Sequence, residues 1–197
     1  MPYVRKLVGS KTFLSPLSSD DAELMYRWHN DLEIIFLAQG PGLRTPGTAQ
    51  EFVEFIESFH KKRWPIFMIV NLETEQPIGW CSLWNVQPAQ RRAEVAILIG
   101  ERDFLGRGCG SDAVRLLLDH GFNLMNLNSV ELVTGECNAR AIRCYEKVGF
   151  RRVGVKRQAH IHGKRKSDMV LMDILAEEFE SPFVVPMMER TGRPHQP

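Results

Sequence analysis

The chain has 197 residues, 44% of them hydrophobic and 25% charged, with a formal net charge of +1. These are the values of an ordinary globular protein with length for one domain and a sizeable core, and they exclude a global electrostatic pull toward nucleic acid or an anionic membrane. No apolar run reaches the length of about eighteen residues that a membrane-spanning helix needs, and the opening Met1-Pro2-Tyr3-Val4-Arg5-Lys6 lacks the apolar region of a secretory signal. The cysteines Cys81, Cys109, Cys137 and Cys144 form no CxxC pair and match no zinc spacing. Reduced thiols in a cytoplasmic protein without a metal site are therefore expected.

An extended stretch, Tyr3 to Leu17, opens the chain. Ser18-Ser19-Asp20-Asp21 then offers N-cap oxygens and early acidic charge, and Leu24, Met25 and Trp28 follow at helical spacing, which predicts a helix over Asp20 to Asn30. Residues 38–48 are rich in Gly and Pro and read as loop. Thr48 caps a second helix that carries Phe52, Phe55, Ile56 and Phe59 on one face. Strands are predicted at Trp64 to Val70, Ile78 to Val86 and Ala93 to Gly100. The third places Val95, Ile97 and Ile99 on one face and Glu94, Ala96 and Leu98 on the other.

A helix from Gly110 to Asn126 comes next, with Ala113, Leu116, Leu117, Phe122 and Leu124 apolar. A strand at Ser129 to Thr134 precedes a helix at Asn138 to Val148, closed by Gly149. Phe150 to Ile161 and Met169 to Leu175 read as strands joined across a His162-Gly163-Lys164 turn. The order predicts an α/β fold: one mixed, twisted sheet with helices on both faces. Residues 1–180 form the domain, and 181–197, with Pro182, Pro186, Pro194 and Pro197, form a tail expected to be irregular and mobile. Its Phe183, Val184, Val185, Met187 and Met188 offer an apolar surface for the body or for a second copy in a homodimer.

Gly106-Arg107-Gly108-Cys109-Gly110-Ser111 lies between a strand and a helix. Glycines permit close backbone approach, and a helix start presents unpaired N–H groups and the positive end of its dipole, which together suit a pyrophosphate. A tight connection without a ligand is the plain alternative. No GxxxxGK[ST] occurs, so a P-loop is excluded. Gly108, Gly110, Ala113 and Glu131 fit a dinucleotide fingerprint, and an oxidoreductase stays open on that ground. Against it, Glu101 to Leu105 separate the glycines from the strand, and Glu131 opens its strand instead of closing it.

The run from Asn138 to Phe150 has Ala139 after the Asn, Tyr145 seven residues on, and Gly149-Phe150 at its end. With Ala93 to Gly108 upstream, it resembles the GNAT superfamily of N-acetyltransferases, whose coenzyme A signature is [QR]xxGx[GA] at a helix start. The similarity is greatest to the branch that includes ribosomal-protein N-terminal and spermidine acetyltransferases. It is strong over residues 78–176 and loose over the N-terminal third.

The resemblance implies a GNAT-like fold, with the sheet splayed between Ala93–Gly100 and Ser129–Thr134. It implies acetyl-CoA as co-substrate and transfer of acetyl to a primary amine by direct attack in a ternary complex. The amine would belong to a peptide N-terminus, a polyamine or another small molecule. No covalent intermediate is implied, so Cys109, Cys137 and Cys144 need not be nucleophiles.

It also implies coenzyme contacts. The pantetheine arm would pair with the backbone at Leu98 and Ile99, whose side chains also read as core. The pyrophosphate would meet Leu105, Gly106, Arg107, Gly108, Cys109, Gly110 and Ser111. Leu105 departs from the Gln or Arg of the signature, which leaves Arg107 to supply positive charge. Asn138 would hold the arm and cap its helix. Tyr145 would protonate the departing thiolate, or simply fill the core. Glu94 would act as general base, its alternative being a surface or ion-paired carboxylate. A non-catalytic acyl-CoA sensor or scaffold on the same fold is the other reading, prompted by Leu105.

Arg151 to Lys166 contains seven cations and no acid, read as a solvated hairpin face or, alternatively, a surface for an acidic acceptor. His160 and His162 share a strand face but are too few for a metal site. Ser167 and Asp168 are placed at the acceptor pocket by position alone.

Overall fold

Alternation along the strand at residues 92–99 sets the layering. Val95, Ile97 and Ile99 join one core, and Ala96 and Leu98 join another on the opposite face. The computed structural model describes residues 3–38, 46–162 and 164–191, with the side chains of Leu37, Ala38 and His162 excepted. Most of the predicted 38–48 loop, Gly163 of the predicted turn, and residues 192–197 of the predicted tail lie outside the described residues.

The elements are β1 (Leu7–Val8), β2 (Thr12–Pro16), α1 (Ala22–Asn30), α2 (Leu32–Ala38), α3 (Ala49–Lys62), β3 (Ile66–Asn71), β4 (Pro77–Gln87) and β5 (Arg92–Ile99). There follow α4 (Cys109–Asp119), β6 (Ser129–Gly135), α5 (Ala139–Val148), β7 (Arg151–His162), β8 (Arg165–Leu175) and α6 (Val184–Thr191). The strands make one sheet in the order β1-β2-β3-β4-β5-β6-β8-β7. All neighbours are antiparallel except β5 and β6, which are parallel. The mixed sheet with helices on both faces is as expected.

On one face, Met25 and Trp28 of α1 and Ile56 and Phe59 of α3 pack on Met68, Trp80 and Leu98. On the other, Leu116 and Leu117 of α4 and Ile142 of α5 pack on Leu83, Val130 and Met172. Each fully buried aliphatic side chain contributes about 1.5–3 kcal/mol. Thr48 caps α3 as predicted, its side chain accepting from the Glu51 N–H while the Glu51 carboxylate accepts from the Thr48 N–H at 2.7 Å. Gly100 lets the first layer close on the end of β5, because a Cβ there would fall 2.2 Å from the Trp28 indole. Trp28 Nε1 then donates to Glu101 at 2.9 Å.

Three features depart from the sequence reading. The seven-residue α2 has no predicted counterpart; Asp31 starts it by accepting from the Glu33 and Ile34 N–H groups. The predicted helix Gly110–Asn126 ends as α-helix at Asp119 and passes into a π turn over His120–Leu124, where Gly121 packs on Leu83.

The tail, expected to be irregular, forms α6 and docks on the body. The buried Asp119 carboxylate accepts from Ser181 Oγ at 2.6 Å and from the Phe183 and Val184 N–H groups at 2.8 Å. Those two N–H groups open α6 and would otherwise lack partners. Val184 is fully buried, while Val185 and Met188 stay exposed.

Asp119→Ala leaves these donors unmatched. It is expected to cost about 2–4 kcal/mol, a loss of roughly 5–15 °C in Tm, and to open residues 181–191 to proteolysis at otherwise native conditions. Thermal unfolding and limited proteolysis check this; a variant as stable as the parent would show that Asp119 does not anchor α6.

Candidate functional site

The parallel pairing of β5 with β6 lasts three residues: Arg92 with Ser129, Ala93 with Val130 and Glu94 with Glu131. Beyond Glu94 the strands part. Val95–Ile99 stays with β4, and the rest of β6 stays with β8. The gap is a cleft of about 500 Å³, walled by β5, α4, β6 and α5. The backbone edge of Val95–Ile99 facing it has no strand partner among the described residues, so its N–H and C=O groups are available to an extended ligand.

The glycine turn lies at one end of this cleft. Gly106 and Gly108 have φ of 75° and 87°, a region favoured by glycine. Gly108 is the N-cap of α4 and supplies no capping side chain. The N–H groups of the first turn, from Cys109 to Ser111, are thus left for a ligand, at the positive end of the helix.

A second chain segment fixes the turn. Asp112 in the first turn of α4 accepts from Ser10, Lys11 and Thr12 backbone N–H groups at 2.9–3.1 Å and from the Ser10 and Thr12 hydroxyls at 2.8 Å. Burial pushes the Asp112 carboxyl up, but the hydrogen bonds from Lys11, Ser10 and Thr12 outweigh it and hold the carboxyl below its ordinary value. Lys11, so placed, donates to the Arg107 carbonyl at 2.8 Å.

On the facing wall Asn138 caps α5, its side-chain oxygen accepting from the Ala141 N–H at 3.1 Å. Tyr145 is buried with its ring edge-on to Phe150 at 5.6 Å. Burial, then the neighbouring Cys144, raises its phenol well above the ordinary value, so the hydroxyl stays protonated at any working pH. At the opposite end of the cleft, β4 shifts register between Trp84 and Gln87, with Asn85 at φ 48°. The bulge aims Asn85 at Glu94, and Asn85 Nδ2 donates to Glu94 Oε1 at 2.7 Å.

The cleft therefore gathers Glu94, Leu98, Ile99, Leu105, Gly106, Gly108, Gly110, Ser111, Asn138 and Tyr145. Two expected residues do not line it. Cys109 turns into the core at 3% exposure, and the Arg107 guanidinium lies 5.9 Å from the Phe104 ring. Any contact from Cys109 would come through its backbone. Asp168 is also away from the cleft, where it accepts from the Gln158 N–H at 2.7 Å and steadies a bulge in β7. Glu131 pairs laterally with Glu94 and Asp173 at the start of β6, which is the wrong end for a ribose-binding acid.

Sequence reasoning missed Ile34, Trp84 and Asn85, which nothing local marks, and Arg140, Arg143 and Lys147, whose helical spacing was there to be read. Among the described residues no group of three or more His, Cys, Asp or Glu stands ready for a metal ion. Nor is any helix among them long and apolar enough to cross a membrane.

Residues 11–151 match the Acetyltransferase (GNAT) domain family. The chain belongs to that family. It is accordingly an N-acetyltransferase with acetyl-CoA as donor. It is 25% identical over 174 residues to the p20 N-acetyltransferase of Bacillus licheniformis, covering 88% of this chain and 97% of that protein. A 72-residue stretch is 35% identical to spermidine N(1)-acetyltransferase of Escherichia coli K12, covering 36% of this chain and 38% of the relative. The fold is similar to that of spermidine N-acetyltransferase from Vibrio cholerae in complex with CoA and spermine. There the TM-score is 0.74 at 22% identity, over 85% of this chain and 96% of that one. An acetyltransferase from Bacillus anthracis gives 0.72 at 18%, over 87% and 99%.

Because the Asp112 carboxyl is held below its ordinary value, its contribution to stability is complete above the unfolded-state range, near pH 4, and is lost as pH falls through the lower folded value. Asp112→Asn is expected to lower Tm at pH 7, with the gap to the parent narrowing below about pH 4. A gap unchanged between pH 7 and pH 3 would contradict this linkage.

Proposed function

We propose that the chain acetylates a small cationic amine, by direct attack of the amine on acetyl-CoA in a ternary complex. The observation that carries this is the placement of Glu94: a carboxylate oriented by Asn85 at the point where β5 and β6 part. When bound, acetyl-CoA supplies an activated acetyl thioester. The free edge of Val95–Ile99 would hold the pantetheine arm, and the Gly108–Ser111 backbone at the start of α4 would hold the pyrophosphate. Asn138 would steady the arm from the other wall. Backbone N–H groups of β5 suit the developing oxyanion.

Glu94 takes the role of base. An amine of lysine-like pKa, about 10.4, costs about 4–5 kcal/mol to deprotonate at pH 7, so a base in the cleft is of most value for such an acceptor. Tyr145, held protonated by burial, has a proton to offer the departing sulfur. The register supports a cationic acceptor: Glu94, Glu131 and Asp173 occupy one row across β5, β6 and β8 and share a sheet face. The exposed Trp84 pairs with Glu94 from the other side and adds an aromatic face that suits an ammonium group. The spermidine acetyltransferases among its relatives point the same way. Four cysteines, none of them in a disulfide among the described residues, suit a cytoplasmic setting.

Steady-state assays with acetyl-CoA and a panel of amines, reading free thiol, test the acceptor. Spermidine and spermine are expected to exceed n-butylamine in kcat/KM by about tenfold or more, equivalent to about 1.4 kcal/mol. Equal values, or activity on peptide N-termini alone, would reject the polyamine-like class.

Glu94→Gln is expected to lower kcat about 100-fold at pH 7 and to recover about tenfold per pH unit as the amine deprotonates itself. A pH–rate profile like that of the parent would remove Glu94 as the base. For Tyr145→Phe, a fall in kcat of about 10- to 100-fold with an unchanged Kd for acetyl-CoA is expected; a change in Kd alone would make it a packing residue.

A further inference from the structure

One wall of the cleft carries charge that no ion pair among the described residues balances. Arg140, Arg143 and Lys147 stand three and four residues apart on α5, all three are exposed, and all three line the cleft. Like charges at these spacings repel on a helix. None of the three takes part in an ion pair within the described residues. The one acid of α5, Glu146, is turned to Arg152 at 2.9 Å. On the neighbouring helix Arg115 adds a further cation, donating to the Lys147 carbonyl at 3.0 Å. Ser111 Oγ meets Cys144 Sγ at 3.2 Å, which ties this face of α5 to the first turn of α4. In a chain whose net charge is +1, this is a concentrated basic patch beside a helix N-terminus.

We infer that Arg140, Arg143 and Lys147 form a separate phosphomonoester subsite that binds the 3′-phosphate of coenzyme A. The inference rests on the reading of the cleft as a coenzyme A site. The backbone N–H groups of Cys109, Gly110 and Ser111 suffice for a pyrophosphate but leave the third phosphate, a dianion, without a partner. The stripe from residue 140 to residue 147 rises about 10 Å along the helix, on the scale of one ribose with its phosphate. Guanidinium forks match phosphate oxygens two at a time, and the lysine adds a mobile point charge. The subsite selects coenzyme A over its 3′-dephospho form.

Calorimetric titration of the full chain with coenzyme A and with 3′-dephospho-coenzyme A tests the subsite. At low salt the parent is expected to bind coenzyme A about tenfold or more tightly than the dephospho form. That preference should shrink at about 0.5 M salt, since exposed charges are screened. In R140A/R143A/K147A the preference should fall to about one, with the affinity for the dephospho form unchanged within about twofold. Equal affinities in the parent would overturn the subsite, as would a variant that weakens both ligands alike. Binding of neither ligand by the parent would overturn the coenzyme reading of the cleft and this inference with it. The three side chains are exposed, so a Tm equal to the parent's shows the variant is folded.

Discussion

Everything at the site depends on how briefly β5 and β6 pair. Three parallel pairs hold the strands together up to Glu94, and then each follows its antiparallel neighbour. An unpaired sheet edge inside a protein is costly, because each buried backbone group needs a partner. The five residues Val95–Ile99 therefore commit the fold to meeting something that can pair with a strand. Parallel direction has a second effect. The helices that follow β5 and β6 must both start at the same end of the sheet. Gly108, the N-cap of α4, and Asn138, the N-cap of α5, thus flank the same opening. Anion-binding helix starts and a free strand edge converge for a topological reason, which no single motif could arrange.

The cleft is polar along its length in the electrical sense. Its glycine-turn end combines two helix N-termini with Arg140, Arg143 and Lys147. Its other end has Glu94, with Glu131 and Asp173 in the same row. A polyanionic donor and the cationic acceptor proposed above would each be attracted to one end and repelled from the other, so charge would help to sort the two substrates before contact. The isolated Asp112 would spoil this pattern, since it lies in the first turn of α4 beside the anion end. Five donors from Ser10, Lys11 and Thr12 absorb its charge, and the arrangement brings Lys11 to the turn in exchange.

What the sequence shows of this follows the range of the interactions involved. Periodicity and caps are local, so α1, α3, the three strands β3 to β5, and α5 with Thr48 and Gly149 at their helix ends could be placed by inspection. The parting of β5 from β6 came only from the resemblance, since register across a crossover leaves no local trace. Asn85 was invisible because its importance comes from a bulge nine residues before Glu94.

The tail shows the same limit most sharply. Prolines argued for an irregular tail, and over Val184–Thr191 the argument fails because a carboxylate more than sixty residues upstream satisfies the donors that open α6. Asp119 ends one helix and begins another, and neither duty is written near the residue that performs it. A reading confined to neighbours in sequence finds the elements. It does not find the buried polar groups that decide where those elements stop and what they dock on, because such groups are satisfied through space.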